Sequence, residues 1–97
     1  MATLAVGDNG RALLTGELHF NSVVSLLEVG SRVISDGRIA VIDLAGVTAG
    51  DSAGLALLIE WLSIARSVNR PLHYENIPSQ LQQLARLSEV EELLLGS

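Results

Sequence analysis

The chain has 97 residues, a formal net charge of −5, and a hydrophobic fraction of 48%. This length suits one domain with a single modest core, so we expect residues 1–97 to form one domain. The hydrophobic fraction excludes a disordered chain, and the absence of cysteine excludes disulfides and thiolate metal sites. The same fraction is high for so small a soluble protein, which predicts that some apolar surface faces a partner.

The basic residues argue against two classes of ligand. All six are arginines scattered along the sequence, and there is no lysine. Nucleic acids and anionic lipids both require a clustered positive surface. The longest apolar run, GLALLI, is far shorter than the roughly 20 residues that span a membrane, and no secretory leader is recognisable. We therefore expect neither nucleic-acid binding nor direct membrane insertion.

The first part of the sequence predicts a hairpin and a helix. Residues 3–18 predict two short strands joined at Asp8-Asn9-Gly10, because Asn and Gly both tolerate positive φ. Residues 21–37 have the three- and four-residue apolar spacing of a helix, which Gly37 can end. Gly30 inside this helix costs about 1 kcal/mol relative to Ala, which indicates close packing or an irregularity of the helix there.

The second part of the sequence predicts a β-α-β unit and a closing helix. The elements are a strand buried on both faces at 38–44, a loop at 45–50, a helix at 51–69, a strand at 70–76 and a helix at 78–95 with a break near Ser88. The predicted order is β-β-α-β-α-β-α. The fold class is therefore α/β, with a mixed sheet, a parallel β-α-β core and helices packed on the sheet.

An Asp-Ser pair opens the second of these helices. Asp51 immediately precedes the apolar run, so its carboxylate can accept hydrogen bonds from the free N–H groups of the first turn. Ser52 and Ala53 are then the first helical residues, followed by Gly54. The free amides and the helix dipole favour anions, and α/β proteins place their sites at this end of a parallel strand. The pattern fits a plain cap, and it also fits a binding surface.

Apolar residues cover roughly 220° of this helix, whereas a surface helix usually shows an arc of about 100° or more. Leu58 and Ala65 are expected to face the sheet. Trp61, which is the only Trp, lies on one flank, and Leu55 lies on the other. A protein with three helices has too few to cover both flanks. We therefore expect the flank with Trp61 to be exposed and this ring to anchor a partner. A partly buried core ring is the alternative.

Two histidines and one serine raise the question of catalysis. His19 and His73 lie at predicted strand ends, and neither has a second ligand at metal-binding spacing. Ser52, His73 and Asp43 can be drawn as a hydrolase triad, although the sequence has no Gly-x-Ser-x-Gly elbow. A small hydrolase with Ser52 as nucleophile is therefore a third hypothesis, and no cofactor is expected.

The segment VIDLAGVTAGDSAGLALLIEWLSIAR resembles the central motif of STAS domains, the fold of anti-sigma-factor antagonists. In that motif a buried strand ends at Asp43-Leu44, and Asp51-Ser52-Ala53-Gly54-Leu55 opens the next helix. LTGEL at 14–18 is similar to the first-strand motif of the family, with His19 where Asp is usual. Residues 76–94 are similar to its closing helix. The resemblance covers nearly the whole chain and implies the STAS fold.

Within this family, the sequence is most similar to small stand-alone members that are subunits of phospholipid-transporting ABC complexes in Gram-negative envelopes. The resemblance implies a non-catalytic protein that binds the ABC ATPase subunit and supports its assembly or activity. It implies a cytoplasmic location, peripheral to the inner membrane, in a system that maintains outer-membrane lipid asymmetry. The sequence leaves open whether the isolated domain forms a homodimer.

The predicted partner-binding surface joins the start of the helix to its apolar flank. Its residues are Asp51, Ser52, Ala53, Gly54, Leu55 and Trp61. The alternative function is that of an anti-sigma-factor antagonist in a kinase-controlled switch. In that class the phosphate acceptor precedes the motif glycine, and here that residue is Ala53, which has no hydroxyl. Ser52, one position earlier, is the remaining candidate for phosphorylation.

Overall fold

The computed structural model describes residues 2–95, which form a four-stranded sheet with helices packed against it. The elements are β1 (Thr3–Val6), β2 (Arg11–Leu18), α1 (Phe20–Ser35), β3 (Val41–Gly50), α2 (Ser52–Ser67), β4 (His73–Glu75), α3 (Ser79–Leu87) and α4 (Glu91–Leu95). The strand order is β1-β2-β3-β4, with β1 antiparallel to β2 and the other pairs parallel. This arrangement confirms the predicted mixed sheet with its parallel β-α-β core.

The helices cover one face of the sheet, so the central strands alternate in burial. In β3, Ile42 and Leu44 are fully buried, whereas Val41 and Asp43 are only half-buried. Successive side chains of a strand point to opposite faces, so the alternation means that the other face borders solvent. The prediction of a strand buried on both faces at 38–44 is therefore wrong, because only one face has a helical layer.

β3 also continues through the segment that the sequence predicts as a loop. Residues 45–50 pair with β2, with irregularities in register along the way. The glycines in this segment allow close packing: a β-carbon on Gly46 would lie 2.5 Å from the methyl group of Thr15. Glycine inside a strand often marks such an approach. The small residues that indicate a loop here therefore serve a long parallel strand.

The turns and helix ends follow local sequence rules. Gly10 has a φ of 80° in the turn between β1 and β2, and Gly37 has a φ of 71° just after α1. Both lie in the left-handed region, which glycine adopts without strain. Glu89 has a φ of 61° and separates α3 from α4, which confirms the break predicted near Ser88. No helix of residues 2–95 is long and apolar enough to cross a membrane.

Trp61 lies between α2 and α1, with an exposed fraction of 0%. Gly30 of α1 makes room for the ring, because a β-carbon on residue 30 would lie 2.3 Å from the indole. This contact accounts for a glycine inside a helix, where it costs about 1 kcal/mol relative to Ala. The indole Nε1 is buried and has no hydrogen-bond partner within residues 2–95.

The expectation that Trp61 anchors a partner from an exposed flank is therefore wrong. α2 contacts α1 as well as α3 and α4, so both of its apolar flanks are largely covered. Leu55, on the other flank, is buried too. The short α4 provides the additional cover that the predicted count of three helices did not include.

The packing around Gly30 yields a prediction about stability. Gly30→Ala should lower the free energy of unfolding by about 1–3 kcal/mol, because the new methyl group overpacks the indole of Trp61. Urea denaturation measures this change. Ser35→Ala, at the exposed end of the same helix, is the matched control and should shift stability by less than about 0.5 kcal/mol. A stabilised Gly30→Ala protein, as helix propensity alone predicts, would contradict the packing.

Candidate functional site

Asp51 caps the N-terminus of α2, as the sequence predicts. Its Oδ1 accepts hydrogen bonds from the N–H of Ala53 at 2.9 Å and from the N–H of Gly54 at 3.3 Å. The carboxylate therefore already satisfies two of the free amides and complements the positive end of the helix dipole. Because this side chain occupies the helix start, the mouth of α2 is a capped, polar surface and not a vacant anion site.

The predicted binding residues differ in what they expose. Asp51 and Ser52 are exposed and Ala53 is half-buried, whereas Gly54 and Leu55 are buried. Gly54 packs directly on β2, since a β-carbon there would lie 2.7 Å from the β-carbon of Leu18. The first two residues can contact another molecule directly, and the last two hold the helix start against the sheet.

His19 joins the start of α1 to the start of α2. It is the N-cap residue of α1, and Ser22 completes the cap by accepting a hydrogen bond from the His19 N–H at 3.1 Å. Its Nε2 lies 2.8 Å from Glu17 Oε2, and its Nδ1 lies 3.6 Å from Asp51 Oδ2. The hydrogen bond with Glu17 raises the pKa of His19 and lowers the pKa of Glu17. The histidine thus connects two carboxylates beside the mouth.

An exposed apolar groove runs between α1 and α2 next to this mouth. We call it the α1–α2 groove, and its volume is about 390 Å³. Its lining residues are Phe20, Val23, Val24, Leu27, Ala53, Ala56, Leu57 and Glu60. Phe20 is 73% exposed and Val24 is 70% exposed. Ala53 belongs both to the groove and to the first turn of α2, so the two features form one surface.

Sequence reasoning missed Phe20 and Val24 as surface residues of interest. They lie four positions apart, so they share one side of the helix. The core face that the three- and four-residue spacing predicts for this helix does not include them; it consists of Val23, Leu26, Leu27, Gly30 and Ile34. Two apolar side chains at this spacing outside the core face were the available indication. The apolar surface expected for a partner therefore exists, but α1 provides most of it instead of the flank with Trp61.

The structure does not assemble the proposed hydrolase triad. His73 pairs with Val41 at the beginning of β3, whereas Ser52 follows the end of that strand. β2 pairs along the whole of β3 in seven steps, from Arg11 to Leu18, so the two ends of β3 are roughly 23 Å apart. The carboxylate of Asp43 accepts hydrogen bonds from the side chain of Asn76 and from a backbone N–H, which lower its pKa. It therefore contacts neither Ser52 nor His73 through these bonds. Because Ser52 and His73 lie at opposite ends of β3, the hypothesis of this triad is wrong.

The family of the chain follows from its sequence and agrees with this architecture. The family model described as "Mlab, STAS domain" matches residues 3–96. The chain therefore belongs to the STAS domain family. Within that family it is a STAS domain close to MlaB. None of the curated protein sequences matches it.

Two solved structures have a similar fold. One is a chain of the Acinetobacter MlaFEDB complex in the ATP-bound Vtrans2 conformation, with a TM-score of 0.74 and 20% identity, covering 95% of this chain and 96% of that one. The other is the Bacillus cell fate determinant SpoIIAA in its phosphorylated form, with a TM-score of 0.72 and 16% identity, covering 98% of this chain and 89% of that one. At 16% and 20% sequence identity, this structural similarity establishes the fold alone.

The contacts of His19 yield a prediction about pH. Because the pKa of His19 is raised and the pKa of Glu17 is lowered in the folded protein, their pair stabilises the fold fully between the unfolded-state pKa values of about 4.5 for Glu17 and about 6.5 for His19. This stabilisation is lost as the pH rises through the raised pKa of His19 in the folded protein. Glu17→Gln should lower the pKa of His19, as measured from the NMR titration of its ring protons. Glu28→Gln, about two and a half turns further along α1, is the control and should leave the pKa of His19 unchanged.

Proposed function

We propose that this protein is a non-enzymatic binding subunit of an ABC-type phospholipid transport complex. It docks on the ATPase subunit and supports its assembly or activity, and so contributes to intermembrane lipid transport and outer-membrane lipid asymmetry. The family match and the likeness to a chain of the Acinetobacter MlaFEDB complex support this proposal. In such a complex the protein lies in the cytoplasm, peripheral to the inner membrane.

The observation that carries the proposal is the α1–α2 groove beside the capped mouth. Phe20 and Val24 stand largely in water, although burying a side chain of this kind contributes about 1.5–3 kcal/mol. Neighbouring apolar side chains exposed together are typical of a protein-binding surface. Asp51 and Ser52 then form the polar rim that surrounds the apolar centre of such an interface.

The charges around the groove indicate the chemistry of the docking surface on the partner. Within the described part of the chain, Glu60 is the one charged residue that lines the groove. Asp51 and Glu17 add carboxylates beside the mouth of α2, where His19 contacts both of them. A complementary surface is therefore apolar at its centre, with a basic group placed opposite Glu60.

Substitutions in the groove and at the mouth test the proposed docking. A Phe20→Ser/Val24→Ser variant should weaken binding to the ATPase subunit at least tenfold, because it removes the exposed apolar centre. Ser52→Glu should weaken it similarly by adding a carboxylate beside Asp51. Co-purification and titration calorimetry measure these effects. Leu87→Ser is the matched control, since Leu87 is 82% exposed on α3 and lies outside the groove.

Wild-type affinity in both the groove variant and Ser52→Glu would contradict the proposed surface. Thermal unfolding should show that these exposed substitutions leave the fold intact. Trp61→Ala is unsuitable as a probe of docking, because removing a buried Trp costs about 3–5 kcal/mol. If the Trp61→Ala protein failed to bind, the cause would be unfolding of the domain.

The second candidate function is anti-sigma-factor antagonism in a kinase-controlled switch. The observation that favours it is the exposure of Ser52 in the first turn of α2. Ala53 weighs against it, because the residue directly before Gly54 carries no hydroxyl. Incubation with an anti-sigma kinase and ATP separates the two functions. Phosphate on Ser52 would favour the switch, whereas an unmodified protein that binds the ATPase subunit would favour transport.

A further inference from the structure

A second cleft lies at the opposite end of α2 from the capped mouth. It is formed by the last turns of α2, the connection to β4 and one side of α4, and its volume is about 430 Å³. Because α2 has 16 residues, its two ends are about 24 Å apart. This cleft is therefore separate from the α1–α2 groove, and the proposed docking surface does not include it.

The cleft concentrates cationic side chains in an acidic protein. Arg66 and Arg70 line it, and no carboxylate of residues 2–95 does. Elsewhere Arg11, Arg32 and Arg86 each pair with a carboxylate. Arg38, Arg66 and Arg70 form no ion pair with any residue that the structure describes, and Arg66 and Arg70 lie together in the cleft. Two guanidinium groups in one cleft, with no carboxylate among the described residues that line it, favour an anionic ligand.

The local backbone holds one of these arginines in place. Asn69 has a φ of 56° and turns the chain after α2, and the N–H of Arg70 then donates to the carbonyl of Ala65 at 2.9 Å. The guanidinium of Arg70 lies against Gly37, where a β-carbon would approach its Cζ to 2.9 Å. The cation is thus positioned beside the cleft at a reduced entropic cost, which favours binding.

The remaining walls of the cleft are apolar. Leu62, Ala65, Leu72 and Leu93 line it, and Ala65 and Leu72 are buried. Its volume is within the range of about 300–1,000 Å³ that is typical of small-ligand pockets. Cationic donors beside apolar walls suit a ligand that has an anionic group attached to an apolar body.

We propose that this cleft binds a small organic phosphate. A carboxylate has two oxygens and one charge, which a single guanidinium can satisfy with two parallel hydrogen bonds. A phosphate monoester has three terminal oxygens and a charge of about −1.5 to −2, and it can engage both guanidiniums. The apolar walls contact the organic body of the ligand.

Three probes test the proposal on the whole protein: inorganic phosphate, phenyl phosphate and benzoate. Binding is followed by NMR through the backbone amides of residues 66–70, 72 and 73. Phenyl phosphate should give saturable shifts, with a dissociation constant about tenfold or more below that of inorganic phosphate, because its ring contacts the apolar walls. It should also bind about tenfold more tightly than benzoate, because its charge engages both arginines.

Substitutions assign the effect to the two arginines. Arg66→Gln/Arg70→Gln should weaken the binding of phenyl phosphate at least tenfold, whereas Arg32→Gln, which removes an ion-paired arginine of α1, should leave it unchanged. Unchanged binding in the double variant would overturn the proposal. So would shifts that do not saturate, or benzoate that binds as tightly as phenyl phosphate.

Discussion

The contact between Trp61 and Gly30 sets the relation between the two long helices. The indole fills the space that the missing side chain of residue 30 opens, so α1 lies directly on α2. The contact has two costs: glycine weakens the helix by about 1 kcal/mol, and the indole N–H is buried without a partner within residues 2–95. Buried apolar surface and close packing offset these costs. The largest side chain of the protein therefore serves the core.

This packing determines which surface remains for other molecules. Because α1 covers one flank of α2, the apolar side chains at the beginning of α1 stand beside the mouth of α2. Phe20, Val24 and Ser52 are exposed there, while His19 joins the two helix starts through its contacts with Glu17 and Asp51. The basic cleft lies about 24 Å away at the other end of α2. The two ends of one helix thus present surfaces of opposite chemical character.

The parts of the fold that sequence predicts well are those that neighbouring residues determine. The cap at Asp51, the turn at Gly10 and the break near Ser88 follow from backbone geometry and local hydrogen bonds. The burial of Trp61 and the extension of β3 through 45–50 depend on elements distant in sequence. A helical pattern shows that a flank is apolar, but only tertiary packing decides whether another helix covers it.

The proposed docking brings the partner to the beginning of α1 and α2. The chain contains no cysteine, so a single introduced cysteine can carry a photoreactive group at a chosen position. A probe attached at Val24→Cys should crosslink to the ATPase subunit on illumination, whereas the same probe at Leu87→Cys on α3 should not. Crosslinking from Leu87→Cys with none from Val24→Cys would contradict the account.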